Sequence, residues 1–179
     1  NGLTTSTKIY ANAADELADT WKKRTTIDWT QDDEGLTYQK NPRPTETNIY
    51  DADGNRRRTT IEYTSYSLPN VVREWAGAAG DVLLRRTTTG YRVDTEYLNR
   101  RILGLVDNVH VYDGPTDALV SKVTFGYDWD FSGDLFQDTP APHAIRHDRT
   151  NYGPGFIYGR GNLSQQGRWD ANDSLNASK

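Results

Sequence analysis

The chain has 179 residues, with 21 Lys and Arg against 25 Asp and Glu and a formal net charge of −4. That balance, with a sequence pI near 5.4, speaks against a nucleic-acid partner, whose phosphates call for clustered excess positive charge. The absence of Cys excludes a disulfide framework and a thiolate metal site, and no apolar run approaches the roughly 20 residues that span a bilayer.

Leu, Ile, Val and Phe are sparse, but 11 Tyr and 5 Trp make up the deficit. Disorder needs low hydrophobicity together with high net charge, and the second condition fails here. The expectation is one folded, polar, Thr- and Tyr-rich β segment over 1–179, with 1–18 irregular and 171–179 a polar tail. Such a chain buries roughly 70% of its unfolded surface if it closes into a compact body. It contains no Met and opens at Asn1-Gly2, as a processed or excised internal piece would.

In chain order, 1–8 is polar and suits a frayed or edge position. Residues 11–19, rich in Ala, Asp and Glu, suit one or two helical turns, too short to be stable alone. Thr25, Ile27 and Trp29 alternate with Thr26 and Asp28, the period of a strand over 21–30, and 36–40 reads as a short strand after a turn. Pro42 and Pro44 cannot donate to a ladder, which places 41–44 at an edge or in a loop. Residues 48–63 are the clearest hairpin: a run ending in Tyr50-Asp51, an Asp53-Gly54 turn pair, and a second run in which Thr59, Ile61 and Tyr63 alternate with Arg58, Thr60 and Glu62. A break is expected at Leu68-Pro69. A second hairpin pairs 71–75 with 82–89, and 92–101 reads equally as a strand or a short helix. A third pairs 103–113 with 119–128, and late strands are expected at 157–158 and 163–170.

Parts of the 48–63 hairpin recur. Three expected strands end in the same dipeptide before a Gly-containing turn: Tyr50-Asp51, Tyr112-Asp113 and Tyr127-Asp128. Degenerate repeats of a supersecondary unit imply an array in which each unit buries its apolar face on the next. The stretch Tyr50-Asp51-Ala52-Asp53-Gly54-Asn55-Arg56 resembles the Tyr-Asp-x-x-Gly-x-Arg/Leu core of the YD repeats in RHS (rearrangement hotspot) proteins. The resemblance extends to Trp29-Thr30-Gln31-Asp32-Asp33 followed by 41–47, to 97–106, and to Arg160-Gly161-Asn162-Leu163 with Arg168-Trp169-Asp170, so it spans most of the chain from about Trp21 onward. Two departures accompany it: the repeats are irregular in length, and no Asp-Pro-x-Gly-type self-cleavage motif is present, so the family's protease chemistry has no position here.

Other constellations are weaker. Asp51, Asp53, Asn55 and Glu62 fall at calcium-loop offsets 1, 3, 5 and 12, but the glycine sits at offset 4 and Arg56, Arg57 and Arg58 would crowd a cation. Asp128, Asp130, Ser132, Gly133 and Asp134 open better, yet offset 12 is Thr139, which offers no bidentate carboxylate. His143 and His147 have the i, i+4 spacing of a zinc pair without the intervening glutamate, and Pro140 and Pro142 precede them. His110, between Val109 and Val111, belongs on the less buried strand face. No ordered Ser-His-Asp set emerges, so the expectation is no enzyme, no cofactor and no metal. The Arg56–Arg58, Arg85-Arg86 and Arg100-Arg101 clusters are expected to pair across the ladder with Asp or Glu.

These readings leave two functional classes. The resemblance implies a structural strip of an antiparallel β-hairpin array, part of an encapsulating or extended shell of a secreted or cell-surface RHS-type protein, associating with the rest of its parent or with copies of itself. The alternative is a surface module binding a glycan or protein partner through stacking by Trp75, Trp129, Tyr152 and Trp169 beside turns.

Overall fold

The computed structural model describes residues 3–33, 35, 38, 40–77, 82–128 and 161–169. Over these the chain forms β1 (Ser6–Ile9), α1 (Ala13–Leu17), β2 (Lys23–Thr30), β3 (Arg43–Asp51), β4 (Arg56–Tyr63), β5 (Pro69–Gly77), β6 (Val82–Tyr91), α2 (Thr95–Asn99), β7 (Val106–Asp113), β8 (Leu119–Tyr127) and β9 (Leu163–Trp169). All nine strands belong to one antiparallel sheet, and their spatial order is their chain order. The expected all-β antiparallel hairpin array is therefore the fold. The expected strands at 36–40 and 157–158 and the tail at 171–179 lie wholly or largely outside the described residues.

By compactness the chain divides into two units, 1–88 with 110–120 and 89–109 with 121–179. In the first, the register sets out two different faces. On one, Arg24 lies opposite Tyr50 and Tyr50 opposite Arg56; the next row is Thr26, Asn48, Arg58 and Trp75; the next is Asp28, Glu46, Thr60 and Arg73. The other face carries Thr25, Ile49, Arg57 and Ala76, then Ile27, Thr47, Thr59 and Glu74. The first face thus carries both rings of these rows and four of their five arginines, and the second carries their aliphatic side chains, with Arg57 and Glu74 among them, the two sets separated by the period-2 alternation of each strand.

Helix α1 starts where the Asn12 side chain accepts from the Asp15 amide, the usual way of satisfying one free N–H in a first turn. It ends with Leu17 91% exposed, so it packs little, as its shortness foretold. The 92–101 ambiguity resolves as the short helix α2.

The proline expectation needs correction. Pro44 is neither in a loop nor on an edge strand; it lies within β3, between β2 and β4. It is accommodated because it faces Trp29 where a bulge shifts the β2–β3 register, and the β3–β4 register begins only at Glu46. A missing N–H is tolerated where the ladder is already interrupted.

Burial is shallow. Among the described residues Tyr97 and Tyr127 are the buried apolar side chains, Asn48 and Asp128 the buried polar ones, and no side chain falls below 2% exposure. Tyr97, Tyr127 and Asp128 all belong to the second unit, where they form its most buried cluster.

Candidate functional site: a repeated turn clasp and an arginine–aromatic face

Each Tyr-Asp pair ends a strand, and in each the aspartate binds backbone groups that lead into the next strand. At the β3–β4 turn the Asp51 amide donates to the Asn55 carbonyl (3.1 Å) and the Gly54 amide to the Asp51 carbonyl (3.2 Å). The Asp51 carboxylate accepts from the amides of Asp53 (3.0 Å) and Asn55 (2.9 Å) and from the Asn55 side chain (2.9 Å). Of the Asp53-Gly54 pair only Gly54 takes positive φ, +82°. The turn is therefore a type I turn followed by a left-handed glycine, with no mirror-image two-residue turn needed. The Asn55 amide and the backbone donors hold the Asp51 carboxyl below the usual carboxylate range.

After Tyr112-Asp113 the pattern is one residue longer. The Asp113 amide donates to the Ala118 carbonyl (2.9 Å), the Asp117 amide to the Asp113 carbonyl (2.9 Å), and the Asp113 carboxylate accepts from the Thr116 amide (3.2 Å) and hydroxyl (2.6 Å). Gly114 is required here for close approach: its amide donates to the Leu84 carbonyl (2.9 Å), and a Cβ would lie 2.0 Å from the Leu83 carbonyl oxygen.

Sequence reading missed a further copy. Between β4 and β5 the Thr64 amide donates to the Leu68 carbonyl, the Ser67 amide to the Thr64 carbonyl, and the Thr64 hydroxyl accepts from the amides of Tyr66 and Leu68. These bonds match those at Asp51 position for position, with Ser67 at φ +64° in the place of Gly54. Tyr63-Thr64 is the same device with a hydroxyl for the carboxylate. Its signal was the preceding tyrosine alone.

Asp128 is the buried version. Its amide donates to the Asn162 carbonyl (2.9 Å), and its carboxylate accepts from the amides of Gly161 (3.0 Å) and Asn162 (3.0 Å) and from the Tyr97 hydroxyl (2.9 Å). Burial and the Asp128 carboxylate push the Tyr97 hydroxyl far above its ordinary value. The Tyr127 hydroxyl reaches across to the Val106 carbonyl (2.8 Å), as Tyr63 does to Pro44 (2.6 Å).

Six arginines of the first unit are held by rings or carboxylates. Arg24 lies 5.8 Å from the Tyr50 ring centre, Arg43 5.5 Å from Tyr63, Arg58 4.3 Å from Trp75 and Arg86 3.9 Å from Tyr112. Arg73 pairs with Glu62, Arg85 with Glu74, Arg86 with Asp117 (2.5 Å) and Arg43 with Asp32 (2.5 Å). Among the basic clusters, Arg85 and Arg86 thus have the carboxylate partners expected of them, while Arg58 faces an indole instead. Arg56 stands opposite Tyr50 in the register.

Of the aromatics singled out for stacking, Trp75 lies inside β5 with Arg58 over its ring, and Trp169 is the last residue of β9, opposite Lys122. Trp129 and Tyr152 lie outside the described residues, as do His143, His147, Asp130, Ser132, Gly133 and Asp134. His110 is half-buried, with its ring edge-on to Tyr112 at 6.2 Å and its Nδ1 3.3 Å from the Tyr112 hydroxyl. Glu62 and Asp51 are occupied separately, by Arg73 and by the turn amides, and no cluster of three metal-ligating side chains occurs among the described residues. No helix among them is long and apolar enough to cross a membrane.

What the arrangement does chemically is hold backbone amides: four strand ends, each with a side-chain oxygen that gathers N–H groups lying ahead of the next strand. Comparison with protein-family models gives no match, and comparison with curated proteins gives none either.

Proposed function

We propose that this chain is a structural segment of a larger hairpin-repeat protein of the RHS/YD type, secreted or displayed at the cell surface, with no catalytic role. The carrying observation is the recurrence of one turn clasp at Asp51, Thr64, Asp113 and Asp128 in a sheet whose strands succeed one another in chain order. Such a meander pairs each strand with the next strand of the chain, so stability accrues between neighbours, as in repeat arrays. The shallow burial supports the same reading, since a sheet with so few buried side chains gains most from further hairpins or copies of itself.

The described sheet begins at β1 and ends at β9, and an edge strand offers unpaired N–H and C=O groups to another chain. Sedimentation velocity over a concentration series tests the association: reversible growth in size is expected, and a strictly monomeric species at high concentration counts against it. A glycan-array screen tests the role. Binding that disappears in Trp169→Ala would replace the structural reading with that of a binding module. The coding sequence on either side of the segment should continue in Tyr-Asp units.

A further inference from the structure

The chain holds two Asp-Gly pairs, Asp53-Gly54 and Asp113-Gly114, each at a hairpin turn. Where glycine follows aspartate, the glycine nitrogen can attack the aspartate side-chain carbonyl carbon, because no Cβ on the attacking residue stands in the way. The two pairs have opposite settings for that reaction.

At Asp53-Gly54 little opposes it. Both residues are exposed, the Asp53 carboxylate has no hydrogen bond or ion pair among the described residues, and a Cβ at Gly54 would meet nothing within 4 Å. The Gly54 amide has a single bond, to the Asp51 carbonyl at 3.2 Å, the long end of the normal range. The Asp51 carboxylate grips the amides on either side, those of Asp53 and Asn55, and leaves that of Gly54 to swing. Gly54, at φ +82°, can absorb the compensating rotation without a Cβ clash. At Asp113-Gly114 each condition is reversed. The Asp113 carboxylate is held by the Thr116 hydroxyl (2.6 Å) and amide (3.2 Å), and the Gly114 amide donates to the Leu84 carbonyl (2.9 Å). A Cβ at Gly114 would lie 2.0 Å from the Leu83 carbonyl oxygen, so the backbone that would have to move is walled in.

We propose that Asp53 is a site of spontaneous covalent modification, conversion to isoaspartate, and that the fold protects Asp113 from the same change. The Gly54 nitrogen forms a bond to Asp53 Cγ, and the protonated carboxyl loses its hydroxyl, which leaves as water with the proton from that nitrogen. The product is a cyclic imide, which water then opens. Addition at Cγ breaks the new bond and restores aspartate. Addition at the main-chain carbonyl breaks the original peptide bond, so the chain runs through Cβ and Cγ and the freed carboxylate stands on Cα. The water released in closing the ring is taken up in opening it, and no oxidant or cofactor enters. Isoaspartate lengthens the main chain by one atom between Asp51 and Asn55. The Asn55 amide and carbonyl are thereby displaced from their Asp51 partners, and the clasp on the β3–β4 turn opens.

Both turns lie within the first unit, and nothing in their chemistry depends on the shell reading. The test incubates the full chain at neutral pH over weeks and reads isoaspartate at each site by peptide mapping with electron-transfer fragmentation, which counts Asn1-Gly2 apart. Because Asp113-Gly114 must give up a shorter bond and its packing besides, conversion at Asp53 should run at least about tenfold faster in the folded chain. In denaturing urea the gap should close. The converted chain should also exchange its Asn55 amide faster than the fresh chain. Equal rates at the two sites in the folded chain would overturn the proposal, as would no conversion at Asp53 under conditions where the unfolded chain converts. A gap that persists in urea would overturn it too, since the difference would then lie in the neighbouring residues and not in the fold. Unchanged exchange at Asn55 after conversion would overturn the opening of the clasp.

Discussion

An aspartate at the end of a strand has a backbone amide that can close the hairpin and a carboxylate that can take the turn's remaining N–H groups. How much that second task matters depends on water. At Asp128 the carboxylate is buried, so Asp128→Ala strands the Gly161 and Asn162 amides and the Tyr97 hydroxyl together, and a loss of about 3 kcal/mol in urea unfolding is expected. Asp128→Asn, which keeps one acceptor, should fall between. Asp51→Ala leaves its donors open to solvent, and its loss should be clearly smaller. The exposed carboxylates show in the pH dependence instead. Asp51, held by the Asn55 amide, Asp32, held by Arg43, and Asp19, held by Lys8 and then the Tyr10 hydroxyl, all have carboxyls below their ordinary values. A lowered folded-state value means that the stabilisation is complete above the unfolded value of about 4 and disappears as pH falls through it and below. Unfolding midpoints should therefore drop on acidification below about pH 4, and the drop should shrink in an Asp51→Asn, Asp32→Asn double variant. Tyr63, Tyr91, Tyr97 and Tyr127 are shifted the other way, with burial the first cause in each. Their contribution is whole below about pH 10 and is lost as pH rises above it, because the unfolded chain ionises first.

At the scale of the element, the β4–β5 turn carries a prediction the other turns supply. Thr64 offers one hydroxyl oxygen where Asp51 offers two charged ones, and Ser67 sits at φ +64° where Gly54 and Gly161 take that conformation without a Cβ penalty. Converting the turn to the Tyr-Asp-x-x-Gly form with Thr64→Asp and Ser67→Gly should raise stability by about 1 kcal/mol, read from urea unfolding. The reverse change, Gly54→Ala, meets no neighbour within 4 Å and should cost about that much through backbone strain alone. These turns also mark how far the sequence could be read. The Asp53-Gly54 hairpin was legible because its chemistry is confined to five consecutive residues. Tyr63-Thr64 was not, because a hydroxyl stood in for the carboxylate. The role of Asp128 was hidden because its partners lie far along the chain, 33 and 34 residues on at Gly161 and Asn162 and 31 residues back at Tyr97. Pro44 was misplaced because a bulge depends on the partner strand, which one strand's residues do not encode. The arginine–ring pairs were hidden similarly: that Arg58 faces Trp75 follows from the β4–β5 register, fixed by the turn between them and the pattern of both strands. Removing that contact with Arg58→Ala should cost about 1 kcal/mol and shift the emission of Trp75.

For the molecule as a whole, the question is what its strands do once they have paired with one another. β1 is exposed along its full length and has β2 as its one neighbour in the described sheet. The Ile27 amide donates to the Thr5 carbonyl, and Ser6, Thr7, Lys8 and Ile9 stand opposite Thr26, Thr25, Arg24 and Lys23. Because hydrogen-bonded and non-hydrogen-bonded pairs alternate in an antiparallel ladder, Thr7 and Ile9 bond to β2 while Ser6 and Lys8 turn their amides outward. If copies associate by adding a strand at this edge, Ser6 supplies a donor to the incoming chain and none to its own sheet. Ser6→Pro removes that donor and sets a ring against the approaching backbone while leaving the β1–β2 bonds in place. The variant should keep the parent's urea midpoint and lose its concentration-dependent sedimentation. If both persist, association runs through another surface; if the midpoint falls as well, Ser6 is bonded within its own sheet and the assigned alternation is wrong.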